Sequence, residues 1–223
     1  DGHCEIAPEY VSRCVAHLCE DGVDGVGGPI ETIGTSPLSE TIALAMSSGF
    51  GVGGSAFRTV KDRAMLVDTI AFPAYTRSAV EIAGPLDEEL VRNQDDEYNY
   101  RIREAGGKIL LAQDVRSTYY SRGSLGKLWK QYFGYGFWKV RVFQKHPRQM
   151  SLRQFIPPLF VLELLFSLLI ALFFNWGAIL LLAVLVAYLL AAFASALKEG
   201  RALGFKGLIL LPFVFATIHL SYG

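Results

Sequence analysis

The sequence predicts an α/β domain followed by transmembrane helices. Short β-rich segments alternate with helical patterns up to residue 121, nine basic and no acidic residues lie in 116–154, and long apolar runs begin at Ile156. We therefore divide the 223 residues into an α/β domain at 1–121, a basic segment at 122–155 and membrane helices at 156–223. The formal net charge of zero argues against a general nucleic-acid binder.

Periodicity and turn residues locate the elements of the α/β domain. Helical patterns fall at 8–19, 38–48 and 95–105, and β-rich segments fall at 24–33, 65–71, 108–112 and 115–120. Gly106-Gly107 ends the third helix, and the glycine run 49–54 predicts a tightly turned loop. The three cysteines, Cys4, Cys14 and Cys19, lack Cys-x-x-Cys spacing, so buried free thiols are favoured over a zinc site.

Three apolar segments predict a multi-pass membrane protein. They cover 156–176, which is interrupted by Glu163, then 177–197, and finally 207–223 as an incomplete span. Basic residues precede the first segment and separate the second from the third. The positive-inside rule therefore places the α/β domain on the cytoplasmic side of the inner membrane. In this topology Glu163 and His219 lie toward opposite sides and do not pair.

The segment 124–143 mixes basic and aromatic residues and predicts an amphipathic helix at the membrane surface. One interpretation is a juxtamembrane anchor that meets anionic head groups. A second is that the segment also lines a site for an acceptor and a diphosphate. The two interpretations are compatible, and the residues alone leave both open.

Two acidic clusters could carry chemistry. Asp1 and His3 could share a divalent cation, because carboxylate ligands suit Mg²⁺ or Mn²⁺ bound to phosphates. The run 93–97, Asn-Gln-Asp-Asp-Glu, opens the predicted helix at 95–105. Acids there can simply complement the helix dipole, or one of them can act as a base in a cleft. Arg101 could instead pair with an acid inside the fold.

The order of these motifs resembles family 2 inverting glycosyltransferases. Residues 92–109, with Gln-Asp-Asp-Glu at 94–97, are similar to the family's Glu-Asp-x-x-Leu-x-x-Arg-Leu-x-x-x-Gly-x-x-Ile block. The stretches 72–77 and 82–88 resemble the "Arg … Gly-x-Phe-Asp-Glu" segment that precedes it, 51–58 resembles the acceptor-side glycine loop, and Asp1-Gly2-His3 resembles the metal motif.

The resemblance covers residues 1–150 and implies a partial GT-A (nucleotide-diphospho-sugar transferase) fold. The membrane tail suits the exopolysaccharide subgroup, including succinoglycan-type transferases. The family's nucleotide-binding βαβ unit would precede Asp1, so we expect an N-terminally truncated domain. By itself such a domain would bind donor poorly and show little turnover.

The resemblance also implies roles for individual residues. Asp95 is the expected base, Glu97 would orient it or contact the acceptor, and Asp1 with His3 would hold Mg²⁺ or Mn²⁺. The expected substrate contacts are Gly53, Gly54, Gln94, Asp96, Arg101, Gln131, Trp138 and Lys139.

Two departures from the family pattern narrow the expected function. Gln94 replaces the usual Glu, and the Gln-x-x-Arg-Trp motif of processive synthases has only a distant counterpart at 131–139. We therefore expect addition of a single sugar, with inversion, from a nucleotide-sugar donor to a lipid-linked or saccharide acceptor. The alternatives are a polyprenyl-phosphate sugar transferase, a non-catalytic membrane scaffold and a metal-dependent membrane phosphohydrolase.

Overall fold

The computed structural model describes residues 2–223, without the side chain of Ala202. The chain divides into two compact units, which interleave along the sequence. The sheet unit comprises residues 2–33, Gly54–Tyr120 and Trp138–Gln149. The helical unit comprises Gly34–Gly53, Ser121–Phe137 and Met150–Gly223.

Seven short strands form two sheets within the described part of the sheet unit. The strands are Cys4–Ile6 (β1), Gly25–Gly27 (β2), Ile30–Ile33 (β3), Met65–Leu66 (β4), Ala74–Tyr75 (β5), Ile109–Leu111 (β6) and Ser117–Tyr120 (β7). Their order is β1-β7-β3 in one sheet and β4-β6-β2-β5 in the other. The β2–β6 and β3–β7 pairs are parallel, and the remaining pairs are antiparallel.

Helices make up most of the remaining chain. They are Tyr10–Glu20 (α1), Pro37–Met46 (α2), Gly49–Val52 (α3), Ala56–Thr59 (α4), Arg77–Ala83 (α5), Gln94–Glu104 (α6), Leu125–Lys145 (α7), Leu152–Ala171 (α8), Asn175–Glu199 (α9) and Gly204–Tyr222 (α10). Short 3₁₀ turns follow at Pro147–Gln149 and Gly200–Leu203. The helices predicted at 8–19, 38–48 and 95–105 correspond to α1, α2 and α6.

The β-rich segment at 24–33 forms two strands rather than one, with Gly28-Pro29 between them. Pro29 has no N–H to donate to a ladder. Gly28 is required for a close approach of two backbones, since an added Cβ would lie 1.4 Å from the Val115 carbonyl oxygen. The glycine run at 49–54 also differs from the prediction, because its first four residues form the single helical turn α3.

Among the described residues of the sheet unit, two apolar clusters pack on opposite faces of β6. Leu110 packs with Tyr10 and Cys14 of α1, whereas the neighbouring β6 residues Ile109 and Leu111 pack with α6 through two of its side chains, Tyr98 and Ile102. This alternation is the period-two geometry of a strand that is buried on both faces. Helix α6 is therefore fixed on the sheet by its own apolar side.

The cysteines differ from one another in exposure. Cys14 is buried in the core, and burial raises the pKa of its thiol to about 11. Cys4 is half-buried and Cys19 is exposed. The prediction of buried thiols is correct for Cys14 and wrong for Cys19, whose position near the end of α1 turns it away from the sheet.

The last three helices, α8, α9 and α10, are each long and apolar enough to cross a membrane. The chain is therefore a membrane protein. Helix α8 ends at Ala171 rather than at the predicted residue 176, and a short turn leads to the start of α9 at Asn175. Most of the α8 and α9 surfaces remain uncovered by protein, as expected for helices that face lipid.

Helix α10 does not run alongside the full length of α8. An added Cβ at Gly223 would lie 2.5 Å from the Pro157 carbonyl oxygen and 2.6 Å from the Val161 side chain, both in the first half of α8. His219 lies close by and hydrogen-bonds to Tyr188 in the middle of α9. The prediction that places His219 toward the far side of the membrane from the start of α8 is therefore wrong.

Candidate functional site

The first turn of α6 carries three consecutive acids, Asp95, Asp96 and Glu97. The helix begins after Asn93, which has left-handed backbone angles of φ 63° and ψ 20°. Asparagine adopts this region more readily than most non-glycine residues, and such positions often occur at functional sites. The Asn93 carbonyl accepts a hydrogen bond from the Glu97 N–H at 3.0 Å, so the strained residue also starts the helix.

A buried amide fixes the orientation of α6. Asn99 has no exposed surface, and its Nδ2 donates to the Ile70 carbonyl at 2.9 Å and to the Thr69 hydroxyl at 3.1 Å. The Tyr75 hydroxyl donates to Asn99 Oδ1 at 2.7 Å. Satisfied buried polar groups specify one arrangement, because any rotation of the helix would leave them unpaired.

Asp96 is held by a cation and an amide from a distant part of the chain. The Lys139 ammonium, buried near the end of α7, forms an ion pair with its carboxylate. Gln149 Nε2 donates to the same carboxylate at 2.7 Å and to the Asp96 backbone carbonyl at 3.0 Å. These contacts balance the charge of Asp96 and fix its position.

Asp95 differs from its two acidic neighbours because its side chain is exposed. Its Oδ1 accepts the Asp96 N–H at 2.9 Å. Neighbouring protein atoms nevertheless displace part of the water around the carboxyl group, and this partial desolvation, followed by the negative charge of Asp96, raises the pKa of Asp95. An exposed carboxylate with a raised pKa has the properties of a general base.

Glu97 is buried, and its carboxylate contacts two side chains inside the fold. Arg101 donates to it through Nε at 2.7 Å and through Nη2 at 3.0 Å, and His146 Nε2 lies 3.0 Å from the same carboxylate. Arg101 also donates to the carbonyls of Ala83 and Pro85. The pairing of Arg101 with an internal acid, which the sequence left open, is thus present in the structure.

The C-terminal part of α7 binds the loop before α6 through further ion pairs. Arg141 Nε lies 2.5 Å from Glu89, and Lys145 pairs with Asp87 and, at 2.7 Å, with Glu89. Hydrogen bonds from Arg141 and Lys145 lower the pKa of Glu89 to about 2. These cations of the basic segment therefore bind acids of the sheet unit, and a membrane-surface role for the rest of the segment stays a prediction.

The structure brings together five of the predicted site residues at the start of α6: Asp95, Asp96, Glu97, Arg101 and Lys139. Gln94 is exposed as the first residue of α6, and Trp138 is half-buried in α7. Gly54, in the sheet unit, is exposed with φ 73°.

Two more predicted residues belong to the helical unit. Gly53 is exposed with φ 62° after α3. Gln131 is buried, accepts from Arg122 Nε at 3.0 Å and donates to the Tyr135 hydroxyl at 3.0 Å.

The predicted metal ligands are only partly covered by the structure. Asp1 lies outside the described residues. His3 precedes β1, its carbonyl accepts the Tyr120 N–H at 2.8 Å, and its ring lies 6.4 Å from that of Tyr119. Over residues 2–223, His, Cys, Asp and Glu side chains do not gather in groups of three or more that could hold a metal.

The sequence did not predict three residues of the site: Asn93 as the left-handed residue, Gln149 and His146. Gln149 lies 53 residues from Asp96, and His146 lies 49 residues from Glu97. No local pattern encodes a contact at that separation. Only Asn93 carried a signal, because asparagine directly before a predicted helix favours a turn.

Comparison with known proteins supplies an independent line of evidence. No protein-family model matches the chain. The chain is 33% identical over 186 residues to succinoglycan biosynthesis protein ExoA of Rhizobium meliloti (strain 1021), a match that covers 80% of this chain and 53% of the relative. The resemblance to exopolysaccharide glycosyltransferases of family 2 is confirmed.

A second relative is an archaeal transferase. The chain is 28% identical over 127 residues to the dolichyl N-acetyl-alpha-D-glucosaminyl phosphate 3-beta-D-2,3-diacetamido-2,3-dideoxy-beta-D-glucuronosyltransferase of Methanococcus voltae, a match that covers 56% of this chain and 39% of the relative. The chain thus spans about half or less of the length of these two relatives. The matched homologues and the three apolar helices agree with an α/β transferase domain followed by membrane helices.

Proposed function

We propose that the full-length protein transfers one sugar, with inversion, from a nucleotide-sugar donor to a lipid-linked saccharide during exopolysaccharide or cell-surface glycan synthesis. The observation that carries the proposal is the state of the three acids at the start of α6. Lys139 holds Asp96 and Arg101 holds Glu97, while Asp95 is exposed with a raised pKa. One carboxylate is thereby left to act as a base.

In this mechanism Asp95 accepts the proton of the acceptor hydroxyl as that oxygen attacks the anomeric carbon. The bond from that carbon to the nucleoside diphosphate breaks in the same displacement, which inverts the configuration. Asp96, fixed by Lys139 and Gln149, positions the backbone N–H that binds Asp95 Oδ1. The Glu97–Arg101 pair holds the helix turn beneath the base.

The metal proposal concerns Asp1 and His3, which would hold Mg²⁺ or Mn²⁺. One carboxylate and one imidazole form a small donor set, which suits a cation that takes its other ligands from diphosphate oxygens and water. A bound cation would neutralise charge on the departing diphosphate. Removal of the cation with a chelator is therefore expected to stop transfer by the full-length protein.

The acceptor and location proposals rest on the membrane helices and on the relatives. The Methanococcus voltae relative is named as a transferase that acts on a sugar carried by dolichyl phosphate, which supports a polyprenyl-linked saccharide as acceptor here. The ExoA relative is bacterial, which supports the inner membrane. The basic residues before α8 support a cytoplasmic position for the catalytic domain.

The test measures transfer of radiolabelled sugar from a panel of nucleotide sugars to membrane lipid by the full-length gene product. Asp95→Asn keeps the size of the side chain and removes the base, so transfer should fall about a thousandfold. The matched control is Asp62→Asn, the same chemical change at an exposed acid, which should leave transfer unchanged. Transfer that survives in Asp95→Asn would refute the base assignment, and no transfer by the wild type with any donor would favour the scaffold alternative.

A further inference from the structure

Two polar side chains interrupt the apolar helices α9 and α10 and bind each other. The Tyr188 hydroxyl lies 2.9 Å from His219 Nδ1, and His219 Nε2 lies 2.9 Å from the Phe50 carbonyl oxygen. A carbonyl oxygen can only accept, so Nε2 carries a proton. The imidazole can therefore make both hydrogen bonds as a neutral group, with Nδ1 accepting from the Tyr188 hydroxyl.

Aromatic contacts join the same residues to all three membrane helices. The ring of Phe50 meets Phe215 edge-on at 4.9 Å and His219 at 5.2 Å. Tyr188 stacks on Phe160 of α8 at 4.6 Å. Phe50, a residue of α3, thus contacts rings of α9 and α10 directly, and α8 joins the cluster through the stack of Phe160 on Tyr188.

Helix α3 needs such support because it is only one turn long. Four residues are far too few for a stable isolated helix. Every carbonyl of so short a helix also lies in its terminal region, where carbonyls lack N–H partners within the helix. Ser48 caps the first turn by accepting the Gly51 N–H at 3.0 Å. The Nε2–H of His219 binds the Phe50 carbonyl, so the turn is held from α10 as well.

The segment that α3 supports is the glycine pair predicted to contact the acceptor. Gly53 ends α3 in a left-handed conformation and is exposed. Glycine lets a ligand approach the backbone closely. An added Cβ at Gly53 would lie 3.5 Å from the Cβ of Arg153 at the start of α8, so the base of this side chain borders the exposed backbone of Gly53.

We propose that His219 is a positioning residue of the transferase: its hydrogen bonds to Phe50 and Tyr188 hold α3 so that the backbone at Gly53 is set for the lipid-linked acceptor. The inference rests on the proposed function and adds a residue of the apolar helix α10 to it. Because the imidazole reaches the acceptor only through α3, its loss should weaken acceptor binding and leave the chemical step intact.

Kinetics of the full-length protein in lipid nanodiscs test this role, with a polyprenyl-diphosphate-linked monosaccharide as acceptor. His219→Phe keeps an aromatic ring beside Phe50 and removes both hydrogen bonds. It should raise the acceptor KM about tenfold, the size of the one lost hydrogen bond that reaches α3, at the Phe50 carbonyl, with kcat and the donor KM unchanged. His219→Gln restores a donor and an acceptor and should recover most of the loss. Phe213→Leu, on the exposed side of α10, is the control and should match the wild type.

Hydrogen exchange of the same variants tests, without reference to catalysis, whether His219 holds α3 as a tether through its hydrogen bond to the Phe50 carbonyl. The amides of Gly51, Val52 and Gly53 are bonded within α3 and its cap, and they should exchange about tenfold faster in His219→Phe than in Phe213→Leu. Unchanged exchange would overturn the tether. Faster exchange with an unchanged acceptor KM would overturn the positioning role. If the wild type transfers no sugar, the proposed function fails and the exchange result alone decides whether His219 holds α3.

Discussion

The sheet unit and the helical unit hold their key segments by opposite kinds of polar contact. At the start of α6 the contacts are ion pairs: Lys139 binds Asp96 and Arg101 binds Glu97. At α3, the contacts are a neutral imidazole, a hydroxyl and stacked rings. The difference follows the surroundings, because a charge in a membrane helix is costly whereas a neutral hydrogen bond there is tolerated.

This contrast implies different responses to solution conditions. A segment held by ion pairs should respond to pH, to charge-removing substitutions and, where the pairs are exposed, to salt. A segment held by neutral hydrogen bonds in apolar helices should not respond to salt.

The largest effect on stability is expected from Glu97→Gln. The substitution keeps the shape of the side chain but leaves Arg101, mostly buried, without its carboxylate. Breaking a buried ion pair costs about 3 kcal/mol or more, so the detergent-solubilised protein should unfold at a clearly lower temperature. The control is Glu81→Gln, which removes the exposed i,i+4 pair with Arg77 and should not shift the midpoint. Equal midpoints for the two variants would contradict a structural role for Glu97.

A smaller effect, on activity, is expected from Lys139→Met. Asp95 must be deprotonated to act as a base, and its raised pKa means that transfer is lost as the pH falls through that value. The positive charge of Lys139 acts against the rise, so its removal should raise the pKa of Asp95 further and move the acid limb of kcat/KM to higher pH. Loss of one charged hydrogen bond at Asp96 should also lower kcat/KM about tenfold.

The pH profile of kcat/KM for the full-length protein measures both consequences. Lys130→Met, at an exposed cation of the same helix, is the matched control. If the acid limb of Lys139→Met stayed at the wild-type pH, Lys139 would have no influence on the pKa of Asp95 and would have only a packing role.

The smallest effect is expected from Glu89→Gln at the exposed pair with Arg141. Its pKa is lowered to about 2 by Arg141 and Lys145. Any stability from the pair is therefore complete above the ordinary carboxylate pKa and is lost as the pH falls below that pKa through about 2. At neutral pH, exposed pairs contribute little. The unfolding midpoint should therefore match the wild type in low and in high salt. If the midpoint of Glu89→Gln were clearly below that of the wild type in low salt and equal to it in high salt, the loop before α6 would depend on this pair.

Local pattern predicted a good part of the fold and of the site. The acids at the start of α6, the glycine stop after it and the apolar lengths of α8 and α9 are properties of neighbouring residues, and hydrophobic periodicity reports them directly. The short strands were located only approximately, since two- and three-residue strands such as β4 and β5 carry almost no periodic signal. Roles for Asp95 and for the other site residues stay predictions that the proposed experiments test.

The residues alone are enough to locate the longer helices, to recognise the helices that are apolar enough for a membrane, and to place three acids at the start of α6, whereas the short helices α3, α4 and α5 were not predicted. The tertiary structure alone decided which acid is left exposed, because Lys139 and Gln149 reach Asp96 across 43 and 53 residues. It also decided that the end of α10 lies beside the start of α8 and that His219 contacts Phe50, 169 residues away. The physical reason is that periodicity records which face of a helix is apolar, whereas partners distant in the chain are chosen by packing.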